Sequence, residues 1–302
     1  MEGTERRRIA RELAGDHGGV VHRRLLRDVK IGKEDVRTEV RAGRWSTWGV
    51  HTVRILDVEP EPVADLWHAV WESGPGAVLD GVAALVAQGM TGFSPNTIDV
   101  SLPRSATARR VDGVTRHQRR VLEPTLGAGV PRLKPEWATI HAAAWAVSER
   151  QAALLICLPV QQRLVRPGSL LDVWHQIGRC ARRDLLGRVI PDVCDGAQSL
   201  GELDFGGWCR RYGLPPPLRQ TVRVTSSGRV YLDAEWDGLV VEIDGGHHLL
   251  GLNPTEDALR ANEVSLGSSR VLRIPLLGLR LEPGRFVDQV ARGLGLPVLT
   301  SA

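Results

Sequence analysis

The chain has 302 residues, 42% hydrophobic and 25% charged, which is room for two or three domains and the composition of an ordinary globular protein. No apolar run nears the roughly 18 residues of a membrane span, and the opening MEGTERRRIARELAG lacks the apolar core of a signal peptide, so a cytoplasmic protein is expected, with no membrane among its partners. Formal net charge is only +4, but residues 1–54 carry 13 Arg and Lys against 8 Asp and Glu, so the positive excess sits in the first segment and points to a phosphate-facing surface.

That segment reads as short helices. Glu5–Ala14 places Ile9 and Leu13 at i, i+4, and Gly18-Gly19 breaks it. Val21–Asp28 reads as a second helix. Lys33–Ala42 reads as a third, with Lys33, Arg37 and Arg41 four residues apart on one face. Gly43 ends it, and Arg44–Val53 reads as a two-stranded wing. Three helices and a wing over residues 1–56 make a winged helix-turn-helix, whose last helix would enter a DNA major groove with Lys33, Arg37, Arg41 and Arg44 as its binding set. Against that, short basic helices are about as often plain solvated faces, and winged helices also serve as protein-contact modules. The segment is similar to the N-terminal domain of AbiEi-type antitoxins, best over Arg37 to Trp45 (R-x-x-x-R-x-G-R-W). That resemblance implies a DNA-binding regulator whose body follows the winged helix, acting as a homodimer or with a cognate toxin-like partner.

Asp57-Val58-Glu59-Pro60-Glu61-Pro62 is an acidic, proline-broken linker. Residues 63–196 read as a mixed, mainly helical middle region, comparable to that of the AbiEi type. Leu66, Trp67, Val70 and Trp71 share a helix face, and Ala77–Gln88 reads as a second, apolar helix. Thr97–Leu102 alternates as a strand with Gly113–Arg120 as its partner. Arg109, Arg110, Arg116, Arg119 and Arg120 either extend a nucleic-acid face or keep a sheet edge soluble. From Glu136 to Val193 the chain reads as helical: Ser148–Gln151 has the form of a capping box, Ala152–Leu158 is apolar all round, and Leu170–Val189 carries one apolar stripe. Cys157, Cys180, Cys194 and Cys209 are scattered and read as reduced thiols.

Residues 197–302 read as α-β-β-β-α-β. Ser199–Tyr212 is the opening helix, Gln220–Thr225 the first strand, Arg270–Ile274 the last and Arg285–Leu294 a covering helix. Between them, Val230–Trp236 is rich in β-formers, Asp237-Gly238 is a hairpin signal, and Leu239–Asp244 is a strand that stops at Gly245-Gly246. Alternation points Glu242 and Asp244 the same way and Ile243 the other. A register with Asp233 beside Glu242 would gather three carboxylates at one sheet end, where they repel unless a cation sits among them; hard oxygens suit Mg²⁺ or Mn²⁺. The plain alternative is that these acids cap turns and face water. His247-His248 does not read as a zinc pair, because strand neighbours face opposite sides.

The ordered set Asp233, Glu242, Asp244-Gly245, His248, Asp257, Arg260 and Arg270-Val271-Leu272-Arg273 resembles the very-short-patch-repair-type domains of the PD-(D/E)XK nuclease superfamily, over roughly Ser199 to Leu296. The resemblance implies a restriction-endonuclease-like core and Mg²⁺-dependent hydrolysis of DNA phosphodiesters. Asp233, Glu242 and the Ile243 carbonyl would hold the metal ion, and His248 or Asp244 would accept the proton. Glu202 would lend an acid from the opening helix, while Asp257, Arg260 and Arg273 would pair with phosphate oxygens or orient the acids. Asp244 stands where the superfamily has lysine, as in the very-short-patch types, which leaves the general base open. The expected fold is thus α/β and multi-domain. Its expected function is a Mg²⁺-dependent DNA endonuclease or nickase guided by an N-terminal reader, with an AbiEi-like regulator carrying a non-cutting nuclease-like domain as the alternative.

Overall fold

The apolar residues of the first 56 positions close on one another in a computed structural model of the chain, which describes residues 2–194, 205–224, 230–244, 255, 258–259, 261–262, 265–266 and 271–297, with the backbone alone at 219, 222–224 and 230–231. The fold is mixed α/β, with three sheets among the described residues, and it divides into two units, residues 1–141 and 142–302. Among the described residues no helix is long and apolar enough to cross a membrane.

The first unit opens with α1 (Gly3–Gly15), β1 (Val20–His22), α2 (Arg23–Asp28), α3 (Lys33–Arg41), β2 (Trp45–Thr47) and β3 (Thr52–Ile55). The strands form an antiparallel sheet in the order β1-β3-β2. Ala10, Ala14, Val21, Leu26, Val36, Trp45, Val53 and Ile55 make its buried core. The expected helix from Val21 is therefore a strand first. Val20 and Val21 are β-branched and pair with Arg54 and Val53, and His22 caps α2 by accepting the Arg24 amide at 2.9 Å. At the turn into α3, the Asp35 carboxylate accepts the Gly32 amide at 2.9 Å.

The chain continues as α4 (Val63–Ser73), β4 (Val78–Leu79), α5 (Gly81–Ala87), β5 (Ile98–Pro103), β6 (Val114–Arg119), β7 (Thr125–Leu126), β8 (Arg132–Leu133) and α6 (Pro135–Trp145). A five-stranded sheet runs β6-β5-β4-β8-β7, with β5 and β6 parallel. The stretch expected as one helix from Ala77 splits, because Asp80 ends β4 and caps α5 by accepting the Gly81 amide.

The second unit holds α7 (Glu149–Gln161), α8 (Pro167–Gln176), α9 (Arg183–Cys194), α10 (Phe205–Arg211), β9 (Arg219–Val224), β10 (Val230–Trp236), β11 (Leu239–Asp244), β12 (Val271–Pro275), α11 (Leu276–Leu281) and α12 (Pro283–Gly293). Ser148 caps α7, accepting the Gln151 amide at 3.1 Å as its spacing suggests. The stripe expected over Leu170–Val189 is broken between α8 and α9, where Arg182 takes a left-handed φ of 57°. The sheet runs β12-β11-β10-β9, antiparallel except for β12, which lies parallel to β11. Leu232, Ala234, Trp236, Leu239, Val241, Ile243, Leu272 and Ile274 all turn to one face and form a core with Phe205 and Phe286. At about 1.5–3 kcal/mol for each fully buried large side chain, that face holds the sheet and helices together.

Candidate functional site

Among the described residues, charged side chains gather in each of the two units. In the first, α2 and α3 are joined by four residues and border a groove of about 770 Å³. Arg23, Arg24 and Arg27 of α2 and Lys33, Arg37 and Arg41 of α3 line it, over a floor that includes Ile31, Val36 and Val40. Thr47 at the end of β2, with Val50 and His51 of the loop between β2 and β3, forms its third side. Arg37 is ion-paired to Glu34, but Arg23, Arg24, Arg27, Lys33 and Arg41 have no carboxylate partner among the described residues. The adjoining α1 differs, since Arg6, Arg8 and Arg11 all sit in ion pairs.

Of the four cations that the sequence nominates for DNA, Lys33, Arg37 and Arg41 line this groove and Arg44 does not. Arg44 bonds through Nε to Glu39, which is fully buried and also receives Nε and Nη2 of Arg6. Burial alone would push the Glu39 carboxyl up, but the Arg44 and Arg6 guanidiniums outweigh it and hold the group below the ordinary carboxylate value. Arg44 is thus a clasp between the start of β2 and the back of α3. Spacing alone could not separate it from its neighbours, because the partner Glu39 is itself a helix residue that reads as exposed.

In the second unit, Asp233 lies opposite Glu242 in the β10–β11 register, and both face away from the core. The row extends across the sheet: Thr221 of β9, Asp233, Glu242 and Arg273 of β12 are successive register partners. Arg273 Nε bonds Glu242 Oε2 at 3.1 Å. Asp233 is 5% exposed, while the Glu242 side chain is 21% exposed.

The pairing type can be worked out from Asn262. Its Oδ1 accepts the Arg273 amide at 2.8 Å and its Nδ2 donates to the Arg273 carbonyl at 2.9 Å. Arg273 therefore turns its backbone groups away from β11. Alternation then makes Leu232–Ile243 the hydrogen-bonded pair and Asp233–Glu242 the non-hydrogen-bonded one, in which side chains stand closest, with Cα atoms about 4.5 Å apart. The same alternation aims the Ile243 carbonyl in the sheet plane at β10, so a metal role for it would use that oxygen's second lone pair.

The expected trio of carboxylates at one sheet end does not close up. Among the described residues no three His, Cys, Asp or Glu side chains form a metal-binding group. Asp244 shares the face of Glu242 but is paired with Tyr231, about 6–7 Å further along the strand at about 3.3 Å per residue. What stands together is a pair, Asp233 and Glu242, with Arg273 beside it. Glu202, His248, Asp257 and Arg260 lie outside the described residues.

Sequence reasoning missed a third polar group. Asp80, fully buried, accepts the Ser101 hydroxyl at 2.5 Å and contacts His141 Nδ1 at 2.9 Å; Arg119 meets the far side of that ring. Ser, Asp and His together suggest a nucleophile, but the order of bonds excludes it. The carboxylate stands between hydroxyl and ring, so the ring has no Ser101 proton to take, and Ser101 is fully buried. The group ties β4, β5 and α6 together. Its members are up to 61 residues apart, which no local pattern reveals.

Compared with models of known protein families the chain matches none, and no curated protein matches it.

Proposed function

We propose that the chain binds duplex DNA through the groove between α2 and α3. The observation that carries this is the charge distribution: five cations without carboxylate partners among the described residues line one groove, while those of α1 are paired. Five like charges together repel one another, and a phosphate backbone offsets that repulsion. Two helices joined by a short turn, with a strand loop beside them, agree with the winged-helix reading, in which α3 would enter the major groove.

We further read the C-terminal sheet as a restriction-endonuclease-like core that cuts DNA with Mg²⁺ or Mn²⁺. Its support is the close pairing of Asp233 with Glu242 on the face away from the core. Two carboxylates suit a hard cation that keeps several of its waters. A bound ion would supply a water of lowered pKa and neutralise charge on the phosphate. Asp233 and Glu242 would hold it, Arg273 would keep Glu242 oriented, and Asp244 further along the same face would accept a proton. A non-cutting, AbiEi-like regulator is the second reading. The Arg273–Glu242 ion pair favours it, because the guanidinium already answers part of the charge for which a metal would otherwise be needed.

The test pairs duplex binding across a salt series with plasmid nicking in Mg²⁺ or Mn²⁺. Arg27→Ala and Arg41→Ala should each weaken binding and lower the salt slope by about 0.9; unchanged binding in both would refute the groove. Nicking by the native chain that Asp233→Asn abolishes supports the nuclease, and binding without nicking selects the regulator.

A further inference from the structure

Glu72 lies on α4, outside the helix-turn-helix, and is 5% exposed. Its carboxylate accepts three consecutive amides, those of Val50 at 2.9 Å and His51 at 2.7 Å in the β2–β3 loop and of Thr52 at the start of β3 at 2.8 Å, and also the Thr52 hydroxyl at 2.8 Å. Successive amides converging on one anion make the kind of backbone concavity that elsewhere holds phosphate. Here the anion is built into the chain. Gly49 lets the loop approach: its φ is 98°, and a Cβ there would stand 2.6 Å from the Glu72 carboxyl carbon.

The loop held in this way reaches the groove. Val50 and His51 line it. The His51 ring stacks on His22 with centroids 5.3 Å apart and 8° between the planes, and His22 in turn caps α2, the helix of Arg23, Arg24 and Arg27. Arg109, from the segment between β5 and β6, meets Nε2 of the same His51 ring.

The geometry points to Glu72 as a positioning residue for nucleic-acid binding: from α4 it holds the β2–β3 loop and, through the His51–His22 stack, the start of α2 in the arrangement the basic groove needs. This rests on the DNA reading above and adds a point of control that lies outside the helix-turn-helix. A displacement of α4 would then be felt in the groove without any contact between α4 and DNA.

The test uses the full chain, with amide hydrogen exchange and salt-dependent binding of a labelled 25-base-pair duplex, comparing the native protein with Glu72→Gln and Thr52→Val. Glutamine keeps the size of the side chain but turns an NH₂ group toward amide donors. In Glu72→Gln, exchange at Val50, His51 and Thr52 is expected to quicken about tenfold while α1 and α3 keep native protection. Duplex affinity is expected to fall about tenfold, with a salt slope shallower by about 0.9. Thr52→Val, which removes one of four donors, should lie between. A variant that is merely part-unfolded loses protection throughout and binds with an unaltered slope, which would overturn the positioning role. Native exchange in Glu72→Gln overturns the clamp itself, and quicker exchange with unchanged affinity and slope overturns its link to binding. A native chain that binds no duplex at low salt overturns the DNA reading and the positioning role with it, while exchange still reports on the clamp.

Discussion

Replacing Asn262 by alanine should cost the second unit about 3–5 kcal/mol. Asn262 is 1% exposed, and its amide group makes three bonds: to the Arg273 amide at 2.8 Å, to the Arg273 carbonyl at 2.9 Å and to Gln289 Oε1 of α12 at 2.9 Å. Gln289 is also buried, and its Nε2 donates to the Leu259 carbonyl at 2.9 Å. Alanine removes the partner of three polar groups at once. Each buried polar group left unmet costs about 1–3 kcal/mol, and water reaching the part-buried Arg273 backbone keeps the total below the simple sum. Asn262→Asp should be no better than alanine, since it sets a second acceptor against the Arg273 carbonyl and Gln289 Oε1. Native-state hydrogen exchange is the assay, because a chain of two units need not unfold in one step. The loss should appear at the Leu272 and Ile274 amides, which face β11, while α1–α3 keep their protection. A loss below about 1 kcal/mol would refute the reasoning, because β12 would then be held by its pairing with β11 alone.

Three further outcomes are expected. Glu39 has a folded pKa below its ordinary value, so its contribution to stability is present above that ordinary value and is lost as pH falls through the folded one. Thermal unfolding of the first unit from pH 6 to pH 3 should accordingly be less steep in pH for Glu39→Gln than for the native chain, and equal slopes would contradict the assignment. Gly49→Ala should destabilise the β2–β3 loop by about 1–3 kcal/mol, since it combines a positive φ with a clash on Glu72; faster exchange at Val50–Thr52 would report it. Asp80→Ala should cost about 3–5 kcal/mol in thermal unfolding of the first unit, because it takes the acceptor from a hydroxyl, an amide and a histidine in a buried setting.

Much of the second unit's sheet was legible because its signals are local. Alternation in Leu239–Asp244 and the Asp237-Gly238 turn define the hairpin. With a two-residue loop between Trp236 and Leu239, the Asp233–Glu242 register follows by counting. Lys33, Arg37 and Arg41 likewise share a face because helical spacing requires it. What stayed hidden depends on partners distant in sequence. Arg44 reads as one more cation until Glu39 is seen to be buried. Val20 and Val21 become strand only because β3 is there to pair with them. Asp244 seemed to complete a carboxylate trio because alternation assigns a face but says nothing of spacing along it. Glu72 gave no signal at all: like Asp65 earlier on α4, an acid on a largely apolar helix reads as a solvated position, and its amide partners lie some 20 residues upstream.

Asn262 also bears on assembly. An edge strand ordinarily offers an outward row of amides and carbonyls on which another chain can add a strand. At the middle of β12 those groups belong to Arg273, and both are already bonded to a buried side-chain amide of the same molecule. This edge is therefore closed to a fifth strand at Arg273, whether from a second copy, an extended peptide or an aggregating neighbour.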